Sequence, residues 1–303
     1  LFELLKLIIW LLFHLTLIFL KPILIILAIA IIIIFIKDIY YKKSVYYQIT
    51  RQSYWSIKKD LGKYGEYLIY KQLMKFEKNG AKFLFNLYVP KENSKTTEID
   101  VLMITHKGLF VFESKNFSGW IFGRESQRSW CQTLPKGRGI SQKEIFYNPI
   151  MQNRLHIKCL KTLLQHKIPV HSVIVFSNRC TLKDVQISSN DIKVINRYDL
   201  AFTVSEIYEQ TEIDLLSDND INEIYNKLYS YTQVDDITKR LHILNLANTP
   251  SESFENKCEE ISKNVSEKEL LEKPSVVSDQ LLDKEIECDK SVSCDPLQRN
   301  ELN

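Results

Sequence analysis

Two apolar runs, Leu7–Leu20 and Ile23–Ile36, open the chain. Only His14 and Thr16 interrupt the first, and Lys21-Pro22 separates the two. As a helix each run spans about 21 Å, short of the roughly 30 Å hydrocarbon core of a bilayer. Two arrangements stay open: one tilted helix kinked at Pro22, or a helical hairpin turning at Lys21-Pro22, with the hairpin preferred. Apolar character continues past Ala28-Ile29-Ala30 to Ile36, which argues against a cleaved signal sequence. Lys37, Lys42, Lys43, Arg51, Lys58, Lys59 and Lys63 follow closely, and the excess of positive charge places that side in the cytoplasm. Tyr40, Tyr41, Tyr46 and Tyr47 suit an aromatic belt at the membrane surface. The lipid bilayer is thus the first partner that the pattern implies, with residues 1–36 in the membrane and 37–56 a basic, aromatic linker.

Beyond residue 56 the pattern changes to that of a folded domain, 57–247. Ile57, Leu61, Tyr64, Leu68, Ile69, Leu73 and Phe76 recur near the 3.6-residue period, and Gly80 ends the helix they predict over 57–79. Strands follow at 82–89, Thr97–Thr105 and Gly108–Lys115, with His106-Lys107 between the last two. Shorter strands fit Trp120–Phe122 and Ser129–Thr133. Lys136–Lys143 reads as a basic loop with Gly137 and Gly139. Pro149 opens a helix to about Gln165, Val170–Ser177 is a β-branched strand, and Ile192–Ile195 a short one. Helices near 204–209 and 218–231 complete the domain. The order predicts an α/β fold with a mixed central sheet flanked by helices. After about Asn248 the chain is rich in Ser, Glu, Lys and Asp without a sustained period, the pattern of a disordered acidic tail, 248–303.

Charge sharpens this division. The net charge of the 303 residues is +3, but Glu252–Glu301 holds 14 Asp and Glu against 7 Lys and Arg, a net of −7, which leaves +10 for the rest. A basic body favours a polyanionic partner, nucleic acid or anionic lipid. Trp120 and Trp130 read as core or rim residues rather than base-stacking platforms. The six cysteines form no C-x-x-C pair, so neither a zinc site nor a disulfide framework is indicated, and reduced thiols are the expectation.

The candidate chemistry lies in the central hairpin. If His106-Lys107 are its two turn residues, Thr105 pairs with Gly108, Asp100 falls opposite Glu113 and Glu98 opposite Lys115. Asp100, Glu113 and Lys115 then share one face, because side chains alternate with period two. Two carboxylates about 5 Å apart among Val101, Leu102, Met103, Phe110, Val111 and Phe112 repel each other without a counter-charge. A divalent cation between them resolves this, and hard oxygen ligands suit Mg²⁺ or Mn²⁺. Lys115 on the same face would reach a scissile phosphate.

Gly62-x-x-Gly65-Glu66, Glu98-Ile99-Asp100-Val101-Leu102 and Gly108-Leu109-Phe110-Val111-Phe112-Glu113-Ser114-Lys115-Asn116-Phe117-Ser118-Gly119 resemble the nuclease-related domain, NERD, over about Leu61–Ser177. That family looks like a branch of the PD-(D/E)xK nucleases, which implies a restriction-endonuclease-like fold. By this resemblance Asp100 and Glu113 are metal ligands, Lys115 is the motif lysine, and Glu66 completes the metal shell. Asn148-Pro149-x-x-Gln152 resembles a further element, in which Gln152 positions a phosphate or water. Gly62 and Gly65 would let their helix approach the sheet. Ile99-Asp100 stands where other members of the superfamily carry Pro-Asp. His156, one turn beyond Gln152, is read as structural. Lys136, Arg138 and Lys143 could track a phosphate backbone. The implied function is a membrane-tethered, Mg²⁺- or Mn²⁺-dependent nuclease acting on nucleic acid, DNA in preference. The alternative is a catalytically silent binding or scaffold protein of the same fold.

Overall fold

A computed structural model describes residues 2–91, 95–137, 140–165 and 168–247. The tail expected to be disordered, 248–303, lies outside them, as does Arg138.

The apolar runs form a single helix, α1 (Phe2–Lys42), that passes through Pro22 without a turn. The expected hairpin is therefore corrected to one helix. Proline deletes one N–H and crowds one carbonyl, whereas a two-residue turn would leave several backbone groups without partners on each side. At about 1.5 Å per residue, 41 residues are about 60 Å long, enough to cross a membrane with a turn to spare at each end. Its apolar side chains are exposed almost throughout.

Residues 37–56 are not a free linker. Ser44 caps α2 (Val45–Thr50), accepting from the Tyr47 N–H, and Ser53 caps α3 (Tyr54–Lys59) in the same way. This folds the chain back onto the domain, so Tyr41, Tyr46 and Ile49 enter its main core. Of the four tyrosines expected at the membrane surface, only Tyr40 is strongly exposed, at 72%. Tyr41 and Tyr46 bury their rings against Tyr67 and Phe85, because a tyrosine cluster supplies apolar area while its hydroxyls find acceptors.

The helix expected over 57–79 is three elements. Asp60 adopts an extended backbone and accepts from Gly62 N–H and Lys63 N–H, which starts α4 (Leu61–Leu73) afresh. A 3₁₀ segment, Met74–Asn79, follows and ends at left-handed Gly80.

A five-stranded mixed sheet has the order β1-β2-β3-β7-β9, with β1 (Lys82–Pro90), β2 (Thr96–Thr105), β3 (Gly108–Lys115), β7 (Val170–Phe176) and β9 (Ile192–Asn196). The first three are antiparallel, and β3-β7-β9 run parallel. A second sheet, β6-β5-β4-β8, comprises β4 (Gly119–Arg124), β5 (Ser129–Gly137), β6 (Ile140–Tyr147) and β8 (Cys180–Gln186). The predicted mixed sheet with flanking helices is present, and this second sheet accompanies it. The basic segment 136–143 is largely strand, not loop: Lys136 lies on β5 and Lys143 on β6, both exposed, with Lys143 paired to Thr133. The β8 strand had no counterpart in the pattern, because Cys180–Gln186 is half-exposed and lacks a clean alternation.

The parallel pair β3/β7 continues into the parallel pair β4/β8 through two three-residue links, 116–118 and 177–179. Ser177 N–H donates to the Lys115 carbonyl at 3.0 Å and Gly119 N–H to the Arg179 carbonyl at 3.2 Å, so the links are themselves paired. The motif lysine thus sits at the joint between the sheets. Helix α5 (Pro149–Leu164) packs across the first sheet, and α4 packs on β2 and β3. Helices α6 (Leu200–Gln210), α7 (Asp218–Tyr229) and α8 (Asp236–Ala247) complete the described chain.

Gly119 makes this joint possible. Its φ is +76°, and an added Cβ would stand 2.3 Å from the Thr133 carbonyl of β5. Gly119→Ala is therefore expected to destabilise the fold by about 3 kcal/mol through backbone strain and overlap. The check is a thermal melt of the detergent-solubilised chain; a Tm within 1–2 °C of wild type, roughly the experimental scatter, would contradict the account.

Candidate active site

Asp100 sits where the first sheet comes apart. The β1–β2 register runs through Phe85↔Val101 and resumes at Leu87↔Ile99, skipping Asn86 and Asp100. The β2–β3 register starts at Thr105↔Gly108, as expected for a two-residue turn at His106-Lys107, and stops at Val101↔Phe112, one step short of Asp100 and Glu113. Asp100 replaces the missing backbone bond with its own carboxylate, which accepts from Ser114 N–H at 2.8 Å. Asn86 has a φ of +50°, a left-handed conformation that asparagine tolerates better than most residues.

The two faces of the sheet contribute different groups. On one, Tyr70 of α4 packs on Phe83 and Phe85, and Gly65 comes so close that an added Cβ would stand 2.8 Å from Ser114 Oγ. Close approach is thus the role of Gly65; at Gly62 an added Cβ would meet only the capping Asp60 carboxylate, at 3.3 Å. On the other face lie Glu113 and Lys115, against α5. Lys115 Nζ donates to Glu113 Oε1 at 2.6 Å and to Gln152 Oε1 at 3.0 Å. Glu113 Oε2 lies 3.1 Å from His156 Nε2, and His156 Nδ1 lies 2.7 Å from Thr97 Oγ1. At the break in the ladder, Asn86 Nδ2 reaches Glu66 Oε2 of α4 at 2.8 Å.

Asn148 positions α5. Its side chain caps Ile150 N–H at 2.9 Å and donates to the Gln127 carbonyl at 2.6 Å, tying the helix start to the β4–β5 turn. One turn in, Asn153 Nδ2 donates to the Val111 carbonyl of β3 at 3.1 Å and to Ser172 Oγ of β7 at 2.9 Å. Gln152 and His156, four residues apart, therefore project from one stripe of a doubly anchored helix.

The electrostatics follow from burial. Glu66 is pushed up to about 8, first by burial and then by the charges of Glu98 and Asp60, against the opposing Asn86 hydrogen bond. Burial, with repulsion from Glu113 and Glu66, raises Asp100 well above the ordinary carboxylate range. Burial would raise Glu113 too, but Lys115 and His156 hold it below its usual value. Lys115 stays an ammonium: burial opposes its charge, and Glu113 and Asp100 outweigh that. Cations thus prevail at Glu113, whereas at Asp100 and Glu66 burial and like charge outweigh Lys115 and Lys63.

Glu66, Asp100, Glu113, Lys115 and Gln152 all fall in this neighbourhood. Glu98 does not face Lys115; it lies 3.7 Å from His242 Nε2 of α8. Lys136 and Lys143 are on the exposed hairpin of the second sheet, and no contact joins them to the carboxylates. Trp130 is core, stacked on Phe176. His156 was missed as a site residue, although its i+4 spacing from Gln152 marked the shared face. Asn86 carried no signal, because nothing in an apolar strand announces a left-handed residue.

The donor set suits a hard divalent cation, since Glu66, buried, and Asp100, half-buried, offer carboxylate oxygens. Among the described residues, however, no group of three or more His, Cys, Asp or Glu side chains is gathered closely enough to hold an ion as it stands.

The family model of the nuclease-related domain matches residues 61–177, which spans α4 through the end of β7. An uncharacterized protein of Bacillus anthracis is 33% identical over 187 residues, covering 62% of this chain and 84% of that protein. No solved structure matches significantly. With the matched segment carrying every carboxylate of the site, the chain belongs to the nuclease-related domain (NERD) family.

Proposed function

We propose that the protein is a membrane-tethered nuclease of PD-(D/E)xK type that hydrolyses phosphodiester bonds of nucleic acid, DNA in preference, with Mg²⁺ or Mn²⁺. The observation that carries this is the gathering of the buried Glu66 and the half-buried Asp100, in which burial and like charge outweigh the nearby lysines, beside the ion-paired Glu113 and Lys115 at the joint of two sheets. A structural network gains nothing from letting burial and like charge outweigh counter-charge at its carboxylates, and a polyanionic substrate needs both a cation and a fixed ammonium.

Glu66, Asp100 and Glu113 would hold the metal, which supplies charge neutralisation at the phosphate and a more acidic water. Lys115, held by Glu113 and Gln152, presents a permanent positive charge to the phosphate oxygens, where charge grows in the transition state. Gln152 orients the Lys115 ammonium through Oε1, which leaves its amide N–H groups to contact the substrate or its attacking water. His156 orients Glu113. Lys136, Arg138 and Lys143 would track the strand at a distance, and the +10 of the body would draw in the polyanion. The helix α1 and the lysines after it support an anchor that leaves the domain on the cytoplasmic side.

Two experiments follow, both on the full chain in detergent because α2 is part of the core. The first incubates plasmid, linear duplex, single-stranded DNA and RNA with Mg²⁺, Mn²⁺ or EDTA. Cleavage is expected with metal and not with EDTA, and Asp100→Asn and Lys115→Ala should lower it by about 100-fold or more. A folded wild type that binds DNA as its variants do, yet cuts nothing, would replace the enzyme with a scaffold.

The second concerns pH. A carboxyl raised to about 8 in the fold binds its proton there while the unfolded chain has lost it, so stability falls as pH rises toward 8. Without divalent metal, stability should drop by about 1 kcal/mol per pH unit between pH 6 and 8. Glu66→Gln should flatten that slope and raise Tm at pH 8, and Mg²⁺ should stabilise wild type more than this variant. A pH-independent wild type would mean that Glu66 is not buried as described.

A further inference from the structure

Glu66 is the carboxylate of the set that comes from outside the β2–β3 hairpin, and its Oε2 is gripped from two directions. Asn86 Nδ2 donates at 2.8 Å from β1. The Tyr46 hydroxyl stands 3.4 Å away, its hydrogen shared with the Lys63 carbonyl at 3.2 Å. Asn86 lies within the stretch 61–177, whereas Tyr46 lies before it, on α2.

Both are built in rigidly. Tyr46 is fully buried, with its ring 4.7 Å from Phe85 and 5.4 Å from Tyr67, so its hydroxyl has one place to be. Asn86 holds a φ of +50° inside a strand, a conformation that costs about 1 kcal/mol or more for a residue with a Cβ. Period-two alternation would put Asn86 on the face opposite Phe85. The left-handed backbone instead interrupts the ladder beside Asp100 and brings the amide to α4. Strain that breaks a sheet and delivers a side chain to a buried carboxylate is paid back at that carboxylate.

Tyr46 also links the site to the apolar helix. Tyr41, in the last turn of α1, packs its ring 6.5 Å from Tyr46 and donates its hydroxyl to the Gln52 carbonyl at 2.8 Å. Three residues separate the end of α1 from Tyr46, and Ser44 fixes the corner between them.

We propose that Tyr46 and Asn86 are positioning residues for Glu66, so that the segment joining the apolar helix to the domain takes part in holding the divalent cation. This rests on the metal-dependent reading above. Positioning partners of this kind set the orientation of a ligand, and their loss typically weakens metal binding about 10- to 100-fold.

The test is Mn²⁺ affinity of the metal-free full chain in detergent, followed by the electron paramagnetic resonance of the free ion, with a thermal melt of each variant. Tyr46→Phe keeps the ring, and Asn86→Gly keeps the left-handed backbone while removing the amide. Both should weaken Mn²⁺ binding, by about 5-fold and about 10-fold or more, with the fold retained. Tyr70→Phe is the control: it loses a hydroxyl from the same ring cluster, one that donates to Glu77 at 3.0 Å and accepts from Val45 N–H at the start of α2 at 3.2 Å but does not bond Glu66, and it should leave affinity within about twofold. Unchanged affinity in Tyr46→Phe and Asn86→Gly overturns the inference alone, as does an equal loss in Tyr70→Phe, which would mark a packing effect. A wild type that binds no Mn²⁺ overturns the metal reading itself, and this inference with it.

Discussion

A buried carboxylate costs several kcal/mol unless hydrogen bonds or opposite charges replace its water. In this protein the buried Glu66 and Glu113 both repel the half-buried Asp100 at a gap in the first sheet. Much of the surrounding architecture answers that constraint. Lys115 and His156 compensate Glu113, Ser114 N–H and the open ladder accommodate Asp100, and Asn86 and Tyr46 hold Glu66. The compensation is deliberately uneven: Glu113 remains ionised, while Glu66 and Asp100 are driven toward their protonated forms.

The two-sheet construction explains why the site can exist at this place. The parallel strands β3 and β7 leave the first sheet together and re-form as β4 and β8 in the second, tied across the joint by backbone bonds. Lys115 is the last paired residue of β3 before that bend, opposite Phe176. Side chains at the end of a strand, supported below by a full sheet and flanked by anchored helices, are held more firmly than side chains on a loop. Helix α5, fixed by Asn148 at its start and Asn153 one turn later, carries Gln152 and His156 into contact with the strand residues.

The apolar helix and the domain are joined without slack. The tyrosines of the last turn of α1 and of α2 divide between surface and core, and Tyr46 extends from this corner into the carboxylate cluster. A helix joined this way constrains the orientation of the site relative to α1, unlike one on a flexible tether.

Apolar patterning by itself determined the apolar N-terminal segment, the strands β1 to β3, α5 and β7, because burial of one face or both imposes a pattern that survives in a single sequence. The two-residue turn at His106-Lys107 likewise determined the hairpin register from Thr105↔Gly108 to Val101↔Phe112, one step short of Asp100 and Glu113. Tertiary structure decided the rest. Whether α1 ran through Pro22 depended on backbone hydrogen bonds that composition does not weigh. Whether Tyr46 lay at a membrane or in a core depended on the corner made by Ser44, and an aromatic ring suits either environment. The opening of the ladder at Asp100 and the left-handed Asn86 leave no mark on hydrophobic pattern, since both are backbone events. His156 was legible only as a face shared with Gln152; its tie to Glu113 needed the sheet beneath it. Local periodicity reports what is buried, and only the packed chain decides which buried charges face one another.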